Sequence, residues 1–249
     1  IKQINGGLEI TLAGSTDKIT FQNVLYQDSL NTPYSSLQQI EFADGTKLNI
    51  VDILEQLYLG TESNDWLAGT TEANHILGGL GNDTIYGRGG DDLLEGGDGD
   101  DKLYGEEGAD ILKGGQGNDV LDGGNGSDVL EGGSGNDTLS GGAGDDILEG
   151  GAGNDTLNGG AGNNVYLFGR GDGQDTVASS HDANLNKLNI LRLKEGIEAS
   201  DLIIKQINGG LEITLAGSTD KITFQNVLYQ DSLNTPYSSL QQIEFADGT

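Results

Sequence analysis

Between residues 60 and 167 the chain carries a hydrophobic residue at every ninth position, with mostly glycine and polar residues between. Eleven members of this series are aliphatic and the twelfth is a tyrosine. They are Leu67, Ile76, Ile85, Leu94, Leu103, Leu112, Leu121, Leu130, Leu139, Leu148, Leu157 and Tyr166. Each lies in the middle of a short segment that fits a strand, where its side chain points to one face. Because so short a strand buries little by itself, the period predicts stacked coils that share a core.

The hydrophobic position is the eighth of a nine-residue unit, Gly-Gly-x-Gly-x-Asp-x-apolar-x, which occurs twelve times without an insertion. Glycine at positions one, two and four permits the positive φ angles and close backbone approach of a tight turn. Positions seven to nine then form a three-residue strand, and two units make a coil of 18 residues. The pattern therefore predicts an all-β solenoid of parallel strands over residues 60–167.

The candidate metal ligands are the side chains at the sixth position of each unit. With two units in each coil, these residues fall into two rows along opposite turns. The first row holds Asp65, Asp83, Asp101, Asp119, Asp137 and Asp155. The second row holds Asn74, Asp92, Asp110, Asp128, Asp146 and Asn164. Carboxylates stacked at strand spacing, about 5 Å, repel one another strongly unless a cation lies between successive turns.

The ligand chemistry favours calcium. Oxygen-only ligands select a hard cation, and their flexible arrangement suits Ca²⁺ better than Mg²⁺. The first row has five neighbouring Asp–Asp pairs, and the second has three, with an Asp–Asn pair at each end. We therefore expect about eight strong Ca²⁺ sites and about two weaker ones. Because binding energy is folding energy at such sites, the metal-free array should be largely unfolded.

Composition points the same way. The chain has a net charge of −28 and only 34% hydrophobic residues, a balance typical of disorder unless something neutralises the acid. About eight Ca²⁺ ions would supply roughly sixteen positive charges. A surface of this sign attracts cations and avoids nucleic acid and anionic membranes. No apolar run approaches the roughly 20 residues that span a bilayer.

Other metal and catalytic chemistry finds no support in the sequence. The chain has no cysteine, which excludes disulfides and thiolate metal sites. His75 and His181 are too far apart in sequence to suggest a zinc site by their spacing. The HExxH, GxSxG and P-loop motifs are absent. We therefore expect a protein that is not an enzyme.

The two ends of the chain share one sequence. Residues 1–46 recur without change as residues 204–249. Such identity indicates duplication, either in a natural tandem array with a 203-residue unit or by a deliberately copied flank, and we favour the array. The expected organisation is a partial flanking module that caps the first coil over 1–59, a roll over 60–167, and a nearly complete β-rich second copy over 168–249.

Short strands dominate the predicted flanks. Alternating apolar residues at 211–215 predict one strand, and Asn-Gly-Gly at 5–7 predicts a hairpin turn. The apolar alternation changes register within 188–193, which predicts either a bulge between Ile190 and Leu191 or a strand buried on both faces. Residues 49–58 show helical spacing and are the one predicted helix.

The repeats resemble those of the RTX (repeats-in-toxin) haemolysin-type calcium-binding proteins. The units GGLGNDTIY (78–86), GGQGNDVLD (114–122) and GGSGNDTLS (132–140) carry this resemblance, which covers residues 60–167. The flanks resemble the haemolysin-type calcium-binding-related domain, through the segments DLIIKQINGGLEITL and IEFADGT.

The resemblance implies a right-handed parallel β-roll with Ca²⁺ in both rows of turns. The ligands it implies are the sixth-position side chains of both rows and turn-glycine carbonyls. The glycines are Gly78, Gly96, Gly114, Gly123, Gly132 and Gly141. It also implies type I secretion of an unfolded chain from a Gram-negative bacterium, with folding outside the cell where Ca²⁺ is abundant.

Two departures from the family pattern are visible. The first two units, GTESNDWLA and GTTEANHIL, lack the fourth-position glycine and predict a metal-poor capping coil. Arg88 and Glu106 replace the second glycine of their units and put the turn geometry there in question.

The favoured function is that of a calcium-responsive structural module in a secreted or cell-surface protein, where it contacts neighbouring modules of an adhesin-like array. Two alternatives are a module that holds an anionic polysaccharide through bound calcium and a C-terminal accessory region of a secreted lipase, protease or epimerase. Tyr86 and Tyr104 on one outer face predict cross-strand packing rather than a ligand platform. The tripeptide Arg170-Gly171-Asp172 fits loop chemistry better than integrin adhesion.

Overall fold

The computed structural model describes residues 58–178, 188–225 and 240–248 with their side chains, and the backbone of short strands elsewhere. The strands before residue 58 are β1 Lys2–Ile4, β2 Gly7–Thr11, β3 Lys18–Phe21, β4 Tyr26–Gln27, β5 Pro33–Tyr34, β6 Gln39–Glu41 and β7 Lys47–Asn49.

These first strands form small antiparallel sheets. Strands β1, β2 and β3 lie in that order, with Ile4 opposite Gly7, so the hairpin predicted at residues 5–7 is confirmed. Strand β4 pairs with β5, and β6 pairs with β7. Residues 50–57, which make up most of the predicted helix, lie outside the described residues.

The nine-residue units form a parallel β-solenoid of about six turns over residues 66–177. Its strands are β8 Trp66–Ala68, β9 His75–Leu80, β10 Thr84–Gly89, β11 Leu93–Asp98, β12 Lys102–Glu107, β13 Ile111–Gln116, β14 Val120–Asn125, β15 Val129–Ser134, β16 Thr138–Ala143, β17 Ile147–Ala152, β18 Thr156–Asn158, β19 Val165–Phe168 and β20 Gln174–Val177. Even-numbered strands from β8 to β20 share sheet A, and odd-numbered strands from β9 to β19 share sheet B. The predicted all-β parallel fold is confirmed.

Neighbouring strands of each sheet pair in a register of 18 residues. Leu103, for example, lies opposite Ile85 on one side and Leu121 on the other. Most strands have six residues rather than the predicted three, because the ladder continues through the first three positions of the next unit. Gly97, at the second position, still lies opposite Gly115. The glycine segment is therefore part of the sheet as well as part of the turn.

The eighth-position side chains fill the space between the two sheets. All of them are buried, and most have no exposed surface. Complete burial of one such leucine contributes about 1.5–3 kcal/mol, and each coil adds two of these residues. Tyr166 ends the series, and its hydroxyl accepts a hydrogen bond from the Gly159 N–H at 3.1 Å. This bond gives its buried polar atom a partner.

The turn glycines have two different roles. Positions two and four adopt positive φ, as at Gly115 (+115°) and Gly117 (+131°), which explains the glycine there. At position two of their units, Arg88 (φ 77°) and Glu106 (φ 73°) keep the same left-handed conformation despite their side chains. The turn geometry that these residues put in question is thus retained, at a cost of roughly 1–2 kcal/mol for each residue.

The sheets continue beyond the repeats. The remaining elements are β21 Ile190–Leu193, a 3-10 helix Ala199–Asp201, β22 Leu202–Ile207, β23 Gly210–Leu215, β24 Lys221–Phe224, β25 Tyr229–Gln230, β26 Pro236–Tyr237 and β27 Gln242–Glu244. Strand β24 extends sheet A beside β20, while β21 and then β27 extend sheet B beside β19. The domain boundary at residue 168 stays a prediction.

The flanking strands test two further predictions. Ile213 and Leu215 are buried and Leu211 is half-buried, which confirms the alternation predicted for β23. Both alternatives for residues 188–193 are wrong, because β21 pairs with β19 in continuous register and buries only Leu191 and Leu193. Leu188 and Ile190, the other alternating apolar pair, face outward: Leu188 is 41% exposed and Ile190 is half-buried.

We expect Glu106→Gly to stabilise the solenoid by about 1 kcal/mol, because glycine adopts positive φ without steric cost. The thermal unfolding midpoint at fixed Ca²⁺ concentration should rise by about 2–4 °C. Glu131→Gly removes the same charge from an exposed strand position without relieving a positive φ, and it should lower the midpoint. Equal shifts in the two variants would show that charge, rather than backbone strain, decides the effect.

Candidate metal centre

The sixth-position aspartates turn inward at the start of each strand and lose contact with solvent. From Asp83 to Asp155, those of both rows are no more than 2% exposed. Charged carboxylates are rarely buried unless a partner compensates for the lost hydration. The structure therefore confines a series of acidic groups to positions where each oxygen needs a partner.

One oxygen of each carboxylate has such a partner. The Oδ1 atom of Asp101 accepts a hydrogen bond from the main-chain N–H of Asp83, one coil earlier, at 2.7 Å. In the second row the Oδ1 atom of Asp110 accepts from the Asp92 N–H at 2.8 Å. The same contact recurs along both rows, so each row aspartate from Asp83 to Asp155 holds the backbone of the preceding turn.

The other oxygen has no hydrogen-bond partner. These buried Oδ2 atoms belong to Asp83, Asp92, Asp101, Asp110, Asp119, Asp128, Asp137, Asp146 and Asp155. Leaving a buried polar atom unpaired costs about 1–3 kcal/mol, and more when it is charged. Nine such atoms in two regular rows are an arrangement that a protein normally compensates with a bound cation.

Position-one glycines adjoin these oxygens. A Cβ atom on Gly114 would collide with both the Oδ2 atom of Asp119 and the carbonyl oxygen of Gly132. The carbonyls of the six predicted ligand glycines all lie against the position-one glycine of the preceding coil in this way. These carbonyls belong to Gly78, Gly96, Gly114, Gly123, Gly132 and Gly141. Position one is therefore glycine because carboxylate and carbonyl oxygens converge beside it.

The donor set is made of oxygen atoms. Across the described ranges, no three acidic or histidine side chains converge on one point. A cation between two turns would therefore need main-chain carbonyls as well as the row carboxylates. Carboxylate and carbonyl oxygens are the ligands that Ca²⁺ prefers, and its flexible coordination tolerates their arrangement. The residues present thus fit a calcium ion.

Burial shifts the protonation of these groups. It raises the pKa of Asp92 and Asp119 to about 7, although a backbone hydrogen bond to each carboxylate opposes the shift. The pKa values of four further row members rise to about 6 for the same reason. They are Asp101, Asp110, Asp137 and Asp146. Near neutral pH the metal-free rows hold carboxylates that are poorly compensated as anions.

Threonine replaces the missing partner in the first coil. The N–H and hydroxyl of Thr61 both donate to the Oδ2 atom of Asp65, at 2.6 and 2.8 Å. The N–H of Thr70 donates to the Oδ1 atom of Asn74 at 2.7 Å. The structure thus separates these two predicted ligands from the other row members. Asn164, at the other end of the second row, presents a buried amide nitrogen without a partner.

Both rows extend beyond the predicted residues. The Asp155 N–H donates to the Oδ1 atom of Asp175 at 3.0 Å, and the Asn164 N–H donates to the Oδ1 atom of Asn189 at 3.0 Å. Burial raises the pKa of Asp175 to about 8. The sequence does mark Asp175, because residues 171–175 repeat the Gly-x-Gly-x-Asp pattern of the units. A two-residue insertion places this aspartate 20 residues after Asp155 instead of 18. Asn189 has no glycine near it and left no such signal.

Other candidate features are structural. The rings of Tyr86 and Tyr104 stack with centroids 4.9 Å apart, which confirms cross-strand packing. Asp172 is buried and contacts the Lys194 ammonium at 3.0 Å, while the Arg170 guanidinium donates to the Ala216 carbonyl. The charged residues of the Arg-Gly-Asp tripeptide therefore make their contacts within the protein.

The described part of the chain contains no helix of the length and apolar character required to cross a membrane. His181 lies outside the described residues.

Comparison with known proteins agrees with this geometry. The model of the RTX calcium-binding nonapeptide repeat matches overlapping windows from 59–94 to 140–177. The model of the haemolysin-type calcium binding protein related domain matches residues 8–52 and 211–249. These two models account for the solenoid and for both copies of the duplicated flank.

Among solved structures, the extracellular lipase LipA from Serratia marcescens is similar to 72% of this chain, at 18% identity and a TM-score of 0.27. The chain spans 39% of the length of that protein, and a similarity at this level carries no argument about function. A comparison with curated proteins found no match. The buried aspartate rows, the glycine turns and the two family matches lead to one conclusion: the chain belongs to the RTX haemolysin-type calcium-binding repeat proteins, with the related domain on both sides of its repeats.

Proposed function

We propose that this chain is a calcium-binding structural module that folds when Ca²⁺ enters the two rows of turns. The observation that carries this proposal is the set of nine buried carboxylate oxygens that have no hydrogen-bond donor. Each lies beside a position-one glycine, and seven of these nine glycines also adjoin a main-chain carbonyl of the next coil. A divalent cation between successive turns would compensate both the buried charge and the unpaired oxygens.

The proposed ligands are the Oδ2 atoms of the row aspartates and the carbonyls of the position-one glycines already named. Neighbouring aspartates that both keep an unpartnered Oδ2 atom form four pairs in the first row and three in the second. Asp155 and Asp175 are a further neighbouring pair, since the Asp155 N–H donates to the Asp175 carboxylate, and this pair brings the proposed count of full sites to eight. Pairs that involve Asp65, Asn74 or Asn164 are weaker sites. Threonine already donates to Asp65 and Asn74, and an amide replaces the carboxylate at Asn74 and Asn164.

Calcium couples to folding because the unfolded chain cannot assemble these ligands. The oxygens of one proposed site come from residues 18 positions apart and meet only when successive coils stack. Without the cation, stacking brings buried anions together at strand spacing. With the cation, the same contact stabilises the core, so binding and coil formation should occur together.

The setting of the module is also part of the proposal. Extracellular Ca²⁺ is abundant, so a chain secreted unfolded by a type I system would fold once it is outside the cell. We propose a secreted or cell-surface location in a bacterium. The copies of one domain at both ends support a role as one unit of a tandem array in an adhesin-like protein, in contact with neighbouring modules.

Calcium titration tests the proposal directly. Far-UV circular dichroism of the metal-free chain should show mostly coil and should convert cooperatively to β structure as Ca²⁺ is added, because each coil supplies ligands to the next. Mg²⁺ at equal concentration should convert much less, since it requires stricter octahedral geometry. Equal β content in excess chelator and in Ca²⁺ would rule out the proposal.

Substitution within one row should weaken neighbouring sites. Asp119 lies between Asp101 and Asp137, so Asp119→Asn should weaken two sites and raise the Ca²⁺ midpoint of folding about 3–10-fold, since calcium affinity follows ligand charge. Asp122→Asn makes the same chemical change on the outer face of β14 and should leave the midpoint nearly unchanged. Calorimetry should show about two fewer tightly bound ions for Asp119→Asn alone; the same loss in both variants would contradict the assignment.

The raised pKa values predict opposite pH effects with and without metal. The folded-state pKa values of about 6 to 7 exceed the usual value near 4, so the metal-free fold binds extra protons. Their contribution to stability is complete below about pH 4 and is lost as pH rises through 6 to 7. In chelator, β content should therefore increase as pH falls from 8 to about 4.5. In Ca²⁺ the effect reverses, because protons compete for the carboxylates.

The matching measurement is a Ca²⁺ titration followed by circular dichroism at pH 8, 6 and 5. The midpoint concentration should rise at each step towards lower pH. A midpoint that is constant over this range would show that the buried carboxylates are not the calcium ligands.

A further inference from the structure

The C-terminal end of the solenoid is covered by the second copy of the duplicated sequence. Strand β24 adds in parallel to β20, with Thr223 opposite Thr176, and extends sheet A. Strand β27 adds in parallel to β21, with Ile243 opposite Leu191, and extends sheet B. This copy therefore closes both sheets at the end where the next coil would otherwise stack.

Specific contacts hold this copy to the solenoid end. The Asp220 carboxylate accepts hydrogen bonds from the N–H groups of Gly171 and Gly173, at 3.0 and 3.3 Å. The Arg192 guanidinium donates to the Glu244 carboxylate at 3.0 Å.

Two further contacts close the core and the second row. The Phe224 ring meets Tyr166 edge to face with centroids 5.8 Å apart. The Asn189 N–H donates to the Oε1 atom of Gln241 at 2.6 Å. The copy thus ends the second row and covers the last aromatic layer of the core, as well as extending the sheets.

Every group that the second copy contributes to these contacts has an identical counterpart in residues 1–46. The residues equivalent to Asp220, Phe224, Gln241 and Glu244 are Asp17, Phe21, Gln38 and Glu41. Strands β1, β2 and β3 pair in the same antiparallel register as β22, β23 and β24. Among the strands that the structure describes, however, β3 has β2 as its one neighbour, whereas β24 lies between β23 and β20. The chain thus holds two copies of the capping sequence, and one of them already covers the C-terminal end of the solenoid.

We propose that residues 1–46 cap the solenoid end of a second copy of this chain, so that molecules associate head to tail. Strand β3 would add to β20 of the partner, and β6 to β21, as β24 and β27 do within one chain. Because the contact joins two different surfaces, it can continue into longer assemblies. The inference relies on the proposed function only in that the solenoid needs calcium to fold.

Competition within the chain sets when this association occurs. The attached second copy acts at an effective concentration on the order of 1 mM, so at micromolar protein it occupies the end almost completely. The end becomes available to another molecule when the attached copy is released or weakened. The same sequence therefore keeps a single molecule closed and provides the means of joining two.

Matched proline substitutions in the full chain test this competition. The N–H groups of Lys221 and Gln225 donate to carbonyls of Gly173 and Val177, so Thr223 between them has its N–H on the β20 side. Thr223→Pro should release the attached copy and produce dimers and larger species by light scattering at about 10 μM protein in saturating Ca²⁺. The wild-type chain and Thr20→Pro should stay monomeric, and Thr20→Pro/Thr223→Pro should be monomeric as well.

Circular dichroism of each variant separates the two proposals. If calcium no longer induces β structure in any chain, the proposed function is wrong. If the solenoid folds but Thr223→Pro stays monomeric, or if the double variant associates equally, the trans cap is wrong.

A cysteine measurement covers the case in which Thr223→Pro fails to fold. The chain has no natural cysteine. Thr20→Cys/Thr176→Cys, refolded with Ca²⁺ and oxidant at about 0.1 mM, should give intermolecular disulfides in about one tenth of the molecules. Thr223→Cys/Thr176→Cys should close within the chain and remain monomeric. Absence of intermolecular bonds in the first variant, when the second closes completely, would overturn the inference.

Discussion

The whole solenoid depends on how a buried carboxylate divides its two oxygens. In each row, Oδ1 accepts the N–H of the aspartate one coil earlier, and Oδ2 faces inward without a donor. The first contact aligns successive turns, while the second leaves a charge that the protein does not compensate. The stacking that buries the leucine core is the same stacking that buries the acid. Stability of the fold and neutralisation of the rows are therefore one problem, for which calcium is the proposed solution.

This constraint accounts for much of the composition. Glycine at position one is required because carboxylate and carbonyl oxygens occupy the place of a Cβ, whereas glycine at positions two and four is required by positive φ. The eighth position must be apolar because both sheets face it. The outward positions vary freely, which is how a strongly acidic chain of low hydrophobicity maintains a dry core.

The repeat itself made the coil length, the core and both rows predictable, because strict periodicity places equivalent residues in equivalent environments. Predictions were less complete where the period breaks. Asp175 follows an insertion, and Asn189 is joined to its row across 25 residues, so neither could be placed by counting. The threonine contacts to Asp65 and Asn74 depend on side-chain geometry that spacing does not reveal. The outward-facing Leu188 shows that apolar alternation does not identify which set faces the core when both sets are aliphatic.

The two ends of the solenoid differ from its middle. Interior coils have nearly the same sequence and contact their immediate neighbours, so one more or one fewer would leave those contacts of the same kind. The end coils are different, because the Thr61 and Thr70 hydrogen bonds belong to the first coil and the Asp220 and Gln241 contacts belong to the last. The length of the rod can therefore change by whole coils inserted or deleted between two fixed ends.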